Sequence, residues 1–181
     1  RGGRGLAPGG ERRMELGVVV VPLAPEPDPA PWDAVIVRAH RIDPAARVAG
    51  HKTLSWLPWV LARREAVERG AGLALVATVD GDVAEADHAN LFAVLDGVVV
   101  TPPLSRGVLP GITRERVLET LRREGKPARE APLTPGDLAA AAEVFVTSSL
   151  DGVRAVGRVE GRAIAAPGRL TRWLASCVTT A

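Results

Sequence analysis

The 181-residue chain has no tyrosine, and aromatic residues make up only 3% of it. The few aromatics do not alternate with basic residues. The usual nucleic-acid surface, a basic stripe with stacking rings, therefore has no support. A single cysteine, Cys177, excludes an internal disulfide, and with no export signal the expected location is the cytoplasm. No apolar run approaches the roughly 20 residues that span a bilayer. The longest, such as Gly17 to Val21, is short and β-branched and reads as a strand. Charge of one sign is also lacking: 23 basic residues are interspersed with 21 acidic ones for a net +2. The first residue is Arg1, and Arg1 to Gly10 is rich in Gly and Arg, as expected of a chain entered partway through.

Lysine is scarce too. Lys52 and Lys126 are the only lysines, and the remaining basic residues are arginine. Arginine stays protonated in proteins, whereas lysine can give up its proton and form an imine. In so biased a chain, a lysine is where amine chemistry is sought. Lys126 follows Gly125 in a polar turn and reads as a surface charge. Lys52 depends on its neighbourhood.

What is present is 46% hydrophobic and 24% charged, the composition of a globular protein. Strands are expected at 18–21 and 35–37, separated by a Pro-rich linker from Pro22 to Trp32. A helix starts near Pro58 and stops at Gly70. Strands follow at 73–78 and 83–85, joined by Asp80-Gly81, and at 91–95 and 98–101, joined by Asp96-Gly97. A second helix after Gly111 presents Val117, Leu118 and Leu121 on one face and stops at Gly125. Thr134-Pro135-Gly136-Asp137 starts a third helix, with threonine as cap and an acid in the first turn. A strand at 143–147 ends in Ser148-Ser149, 153–156 and 159–164 form a closing hairpin, and 168–178 is a last helix. The class is α+β, with hairpin-linked strands rather than a doubly wound series.

Four segments can carry chemistry: His51-Lys52-Thr53-Leu54 before a helix; Glu85 to Phe92, an acid at a strand end that re-enters a strand at Asn90; Leu109 to Arg114, a glycine turn feeding a helix; and Phe145 to Leu150, a strand ending in hydroxyls. Each alone has an ordinary reading as a surface charge, a solvated turn acid, a helix start or a polar loop. His88 offers a candidate base, but a lone histidine in a turn is more often simply solvated. His40 and His51 have no partner at metal-ligand spacing, which disfavours zinc.

Taken together, the order and spacing resemble the class IV (fold-type IV) aminotransferase family, which includes branched-chain and D-amino acid aminotransferases and 4-amino-4-deoxychorismate lyase. The family pattern is met by Glu85, Asn90, Leu91, Phe92, Val99, Thr101, Leu109, Gly111, Ile112 and Arg114. Lys52 precedes Glu85 as the family places its Schiff-base lysine. Lys52-Thr53-Leu54-Ser55 and Ala62 to Ala66 are also similar. The chain departs from the pattern at Asp87, where the family has a small residue, and at Trp56, near a cofactor-contacting tyrosine of some relatives.

The resemblance implies pyridoxal 5'-phosphate (PLP) as cofactor, held by Lys52, which would also shuttle a proton at the substrate α-carbon. It implies Glu85 beside the pyridine nitrogen, favouring its protonated form. Asn90, the helix start Gly111-Ile112-Thr113 and the turn Ser148-Ser149 join the cofactor set, and the amides near Leu150 face the substrate carboxylate. It implies a PLP-binding large domain, mixed β-structure with flanking helices, over 46–181. Residues 1–45 would be the tail of an N-terminal small α/β domain and the interdomain linker. A homodimer is implied as well. The expected activity is transfer of an amino group between an amino acid and a 2-oxo acid. The alternatives are a lyase forming 4-aminobenzoate and pyruvate from 4-amino-4-deoxychorismate, or an inactive truncated fragment.

Overall fold

The computed structural model describes residue 20 and residues 30–178. Apart from Val20, the expected strand at 18–21 lies outside the described residues, as does most of the Pro-rich linker. Nine strands make one sheet: β1 (Trp32–Ile42), β2 (Leu73–Thr78), β3 (Val83–Ala86), β4 (Asn90–Leu95), β5 (Val98–Thr101), β6 (Ala128–Glu130), β7 (Glu143–Ser148), β8 (Gly152–Val159) and β9 (Arg162–Ala163). Among the described residues four helices flank it: α1 (Leu57–Glu68), α2 (Ile112–Arg123), α3 (Pro135–Ala140) and α4 (Arg169–Cys177). The strand order is β3-β2-β1-β8-β7-β4-β5-β6, with β9 on β8. A further pairing of Glu85 with Asn90 joins β3 to β4. Six strands thereby close into a ring, and the closing pair is made of two of the expected site residues.

Alternation along the strands decides what each face buries. Leu73 and Leu75 of β2, Leu91 and Ala93 of β4, and Val144 and Val146 of β7 share one core, with Leu133 and Leu138 against it. The intervening Ala74 and Val76 pack outward against Ala62 and Ala66 of α1. Phe92, Val94 and Phe145 pack against Val117 and Leu121 of α2 and Leu174 of α4. Phe92 and Phe145 are register partners, and their rings stack with centroids 4.8 Å apart. Burying side chains of this size stabilises by roughly 1.5–3 kcal/mol each, so Leu121→Ala would open the seam under α2.

Local chemistry sets the ends of the elements. Asp96 and Gly97 turn β4 into β5 with φ of 49° and 79°, the left-handed pair that tightens a two-residue hairpin. Thr134 and Asp137 form a reciprocal capping box at α3. Glu143, at the start of β7, accepts from the Leu170 and Thr171 amides (3.0 and 2.8 Å) and so caps α4 from outside that helix.

Several expectations need correction. Trp32 belongs to β1, which is far longer than residues 35–37 and lies between β2 and β8. The expected boundary at residue 45 therefore falls just after a strand integral to the sheet. Val159 ends β8 rather than starting the next strand, because the turn is made by Glu160 and Gly161, both at positive φ. Neither β6 nor the 3-10 turn Leu104–Arg106 was expected. Among the described residues no helix is long and apolar enough to cross a membrane.

Candidate active site

A cavity of about 560 Å³ opens where β3 meets β4 and β7 runs out. It is lined by Lys52, Glu85 and Asn90, by Gly111, Ile112 and Thr113, and by Ser148, Ser149 and Leu150. The nine candidate cofactor and substrate residues, from four separated segments, thus face one space.

The closing pair of the ring forms its floor. Glu85 is buried, and its Oε2 accepts from the Leu109 amide at 3.0 Å and from Asn90 Nδ2 at 3.4 Å. Asn90 Nδ2 also donates to the Leu109 carbonyl at 2.8 Å. Burial pushes the Glu85 carboxyl up to about 7; the Leu109 amide and the charges of Arg114 and Lys52 pull the other way. A carboxyl this poised ionises readily once a cation enters beside it.

The start of α2 lies directly against this floor. Gly111 is the cap residue of α2 and offers no capping side chain, so the first-turn amides are left for other acceptors at the positive end of the helix. Asn90 Oδ1 lies so close to Gly111 that a β-carbon there would overlap it. Thr147, the register partner of Asn90, has a buried hydroxyl with no hydrogen-bond partner among the described residues. Such an orphan is costly unless a ligand or water meets it. Sequence reading passed over Thr147 in favour of the serines after it. Ser148 is partly committed elsewhere: its Oγ donates to Asp151 Oδ2 at 3.0 Å and accepts from the Asp151 amide at 2.9 Å.

Lys52 sits on the loop between β1 and α1, exposed, with its ammonium 5.5 Å from the centroid of the Trp56 ring. Lys126 instead stacks over Trp173, away from the cavity, as a surface charge would. Arg114, the basic end of the family pattern, is buried outside the cavity lining and pairs with Glu130 and the Pro102 carbonyl at 2.6 and 3.0 Å. His40 packs edge-on against Trp59, and burial lowers its pKa. Among the described residues no group of three or more His, Cys, Asp or Glu could hold a metal ion.

His88 departs from its expected role. It is partly buried, lies between two carboxylates, and its pKa is pushed up to about 9, first by Asp151 and then by Asp87, against burial. Asp87, the departure from the family pattern, is buried and paired with Arg63.

The fold brings a lysine, a buried carboxyl and the start of a helix to one cavity. The sequence profile of the Amino-transferase class IV family matches residues 2–159, and the chain belongs to that family. A putative branched-chain-amino-acid aminotransferase of Methanocaldococcus jannaschii is 31% identical over 163 residues, 90% of this chain and 57% of that protein. An aminodeoxychorismate lyase of Vibrio harveyi is 36% identical over 136 residues, 74% of this chain and 50% of that one. Among solved structures, an aminotransferase from Brucella abortus bound to the co-factor PLP superposes with a TM-score of 0.79 at 28% identity, covering 85% of this chain and 55% of that one. The chain thus spans about half the length of the curated relatives it matches.

Proposed function

We propose that this chain is the cofactor-binding part of a PLP-dependent aminotransferase acting between an amino acid and a 2-oxo acid, with Lys52 as the residue that holds the cofactor. The observation that carries the reading is the pairing, in one cavity, of the buried Glu85 carboxyl with the uncapped α2 start and the orphaned Thr147 hydroxyl. The residues present fit the group. The Gly111-Ile112-Thr113 amides, with Thr147 and Ser149, would hold its phosphate. Glu85, kept in place by Leu109 and Asn90, would hold a proton on the pyridine nitrogen. When bound, PLP supplies an electron sink for negative charge developing at the substrate α-carbon. Lys52 would bind it covalently and move the proton at that carbon. The amides near Leu150 would receive the substrate carboxylate.

The rim of the cavity supports a partner surface. Leu54 is 98% exposed, and Val48, Leu57 and Val60 are exposed beside it. We assign this apolar rim to contact with a preceding small domain and a second copy of the chain. The cytoplasm is the expected location.

The test is reduction with borohydride after adding PLP, followed by peptide mapping. Mass added at Lys52, and none in Lys52→Arg, which keeps the charge but cannot form the imine, supports the reading. Equal labelling of the variant would sink it. A lyase is the second reading, favoured by the Vibrio harveyi relative. With an amino acid and no 2-oxo acid, an aminotransferase releases a single equivalent of product and stops. A lyase given 4-amino-4-deoxychorismate releases pyruvate over many turnovers.

A further inference from the structure

The turn between Glu85 and Asn90 carries two charged residues that the site as described does not use. Asp87 is buried, and the Arg63 guanidinium of α1 bonds to its carboxylate and to the Gly72 carbonyl. His88 Nδ1 lies 3.0 Å from Asp87 Oδ1, and His88 Nε2 lies 3.4 Å from Asp151 Oδ2 on the turn between β7 and β8. That same Asp151 oxygen accepts from Ser148 Oγ, so the imidazole leans directly on the residue that shapes the turn. Arg154 of β8 steadies the other Asp151 oxygen at 3.3 Å and lies over the Trp32 ring, whose plane is edge-on to His88.

We propose that His88 is a positioning residue: by bridging Asp87 to Asp151 it ties the β3–β4 turn to the β7–β8 turn and fixes Ser148, Ser149 and Leu150 for an anionic ligand group. The role rests on the reading of the β7–β8 turn as an anion-binding element. The strut joins both sides of the cavity, because Glu85 and Asn90 flank one turn and the candidate hydroxyls lie on the other.

The charged groups facing the imidazole are Asp87, Asp151 and Arg63, with Arg154 behind Asp151. With both nitrogens protonated, the ring donates to both carboxylates. Without the second proton, Arg63, 2.8 Å from Nδ1, donates to the ring instead and the link to Asp87 is lost. The His88 pKa is raised from 6.5 to about 9. A raised pKa means the strut contributes fully below the unfolded value and is lost as pH rises through about 9.

Two measurements on the full chain test this. Hydrogen exchange at pH 7 without ligand should show protection of the Asp151 amide, which donates to Ser148 Oγ, falling about tenfold in His88→Phe and in Asp151→Asn, the loss expected for a charge-assisted bond. Carbon-detected NMR of residues 148–151 should show a step near pH 9 in the wild type. His88→Gln keeps one donor, so it should retain most of the protection and lose that step. Unchanged protection in folded His88→Phe and Asp151→Asn overturns the proposal. So does a step that survives in His88→Gln, which decides the matter if the phenylalanine variant does not fold. PLP uptake is followed in parallel: a wild type that takes up none sinks the functional reading, while the exchange and titration results alone decide the strut.

Discussion

Asn90 fills the space that a side chain at position 111 would need. A β-carbon built on Gly111 overlaps the Asn90 amide oxygen, although the Gly111 backbone, at φ −72° and ψ 136°, would suit any residue. The requirement for glycine here is room, not conformational freedom. It lets the start of α2 press against the floor of the cavity, where Asn90 holds both Glu85 and the Leu109 carbonyl.

Gly111→Ala is therefore expected to destabilise the chain by about 1–3 kcal/mol, the range for overpacking a filled site, and to weaken PLP uptake more than this loss alone would. Gly136→Ala is the matched control. Its β-carbon would meet only Thr134 Oγ1 at 3.6 Å, an ordinary contact inside α3. That variant should be neutral or more stable by up to about 1 kcal/mol. Urea denaturation of both variants checks the pair, and equal midpoints would contradict the packing argument.

The buried Glu85 makes the ligand-free chain pH-sensitive. Its pKa rises from 4.5 to about 7, chiefly through burial. The folded state therefore binds the proton more tightly than the unfolded state does. The stabilisation is complete below the unfolded value and is lost as pH rises through about 7, an effect on the order of 3 kcal/mol. Glu85→Gln should flatten stability between pH 5 and 8 (roughly the titration window), and PLP should flatten it in the wild type by giving the carboxylate a cationic partner. Denaturation midpoints across that range, with and without PLP, provide the measurement. A slope unchanged by Glu85→Gln would assign the titration to another group.

These contacts mark what the chain's order discloses and what it hides. Leu73–Thr78 and Val98–Thr101 are strands over the bounds read from short apolar runs and the Asp-Gly turns beside them, because composition and turn chemistry are local. The four cavity segments were legible only together, because their order and spacing resemble the class IV family pattern; each alone reads as ordinary. The ring closure through Glu85 and Asn90 was not, since nothing local specifies which strand edges meet. The strand Ala128–Glu130 was missed because it is exposed on every residue and shows no alternation. Trp32 was assigned to the linker by the prolines before it, whereas pairing with β8 draws it into the sheet. Asp87 stood out as a departure, but its meaning depends on Arg63 and, through His88, on Asp151, residues remote in sequence that only folding brings together.

The loop that carries Leu109 to Glu85 is anchored by Arg106. This residue ends the 3-10 turn, and its guanidinium reaches Asp82 Oδ2 at 3.0 Å, Asp80 Oδ2 at 2.6 Å and Thr78 Oγ1 at 3.2 Å across the β2–β3 hairpin. Burial works against ionisation of Asp82, but the bonds from Arg106 and Thr78 prevail and hold its carboxyl below the usual range. Removing the guanidinium leaves that carboxylate with the Thr78 hydroxyl and a backbone amide but no cation. Arg106→Ala should cost about 2 kcal/mol, between the values for exposed and buried pairs, and Arg106→Lys should recover only part of it, because an ammonium cannot span the three acceptors in one plane. The lowered pKa gives the acid side its sign: stability from Asp82 is present above pH 3.8 and is lost as pH falls through the depressed folded value. The difference between wild type and Arg106→Ala should then shrink as Asp82 takes up its proton. Denaturation at pH 7 and in acid measures this directly, and a penalty that stays constant in acid would mean that Arg106 acts through packing rather than through its charge.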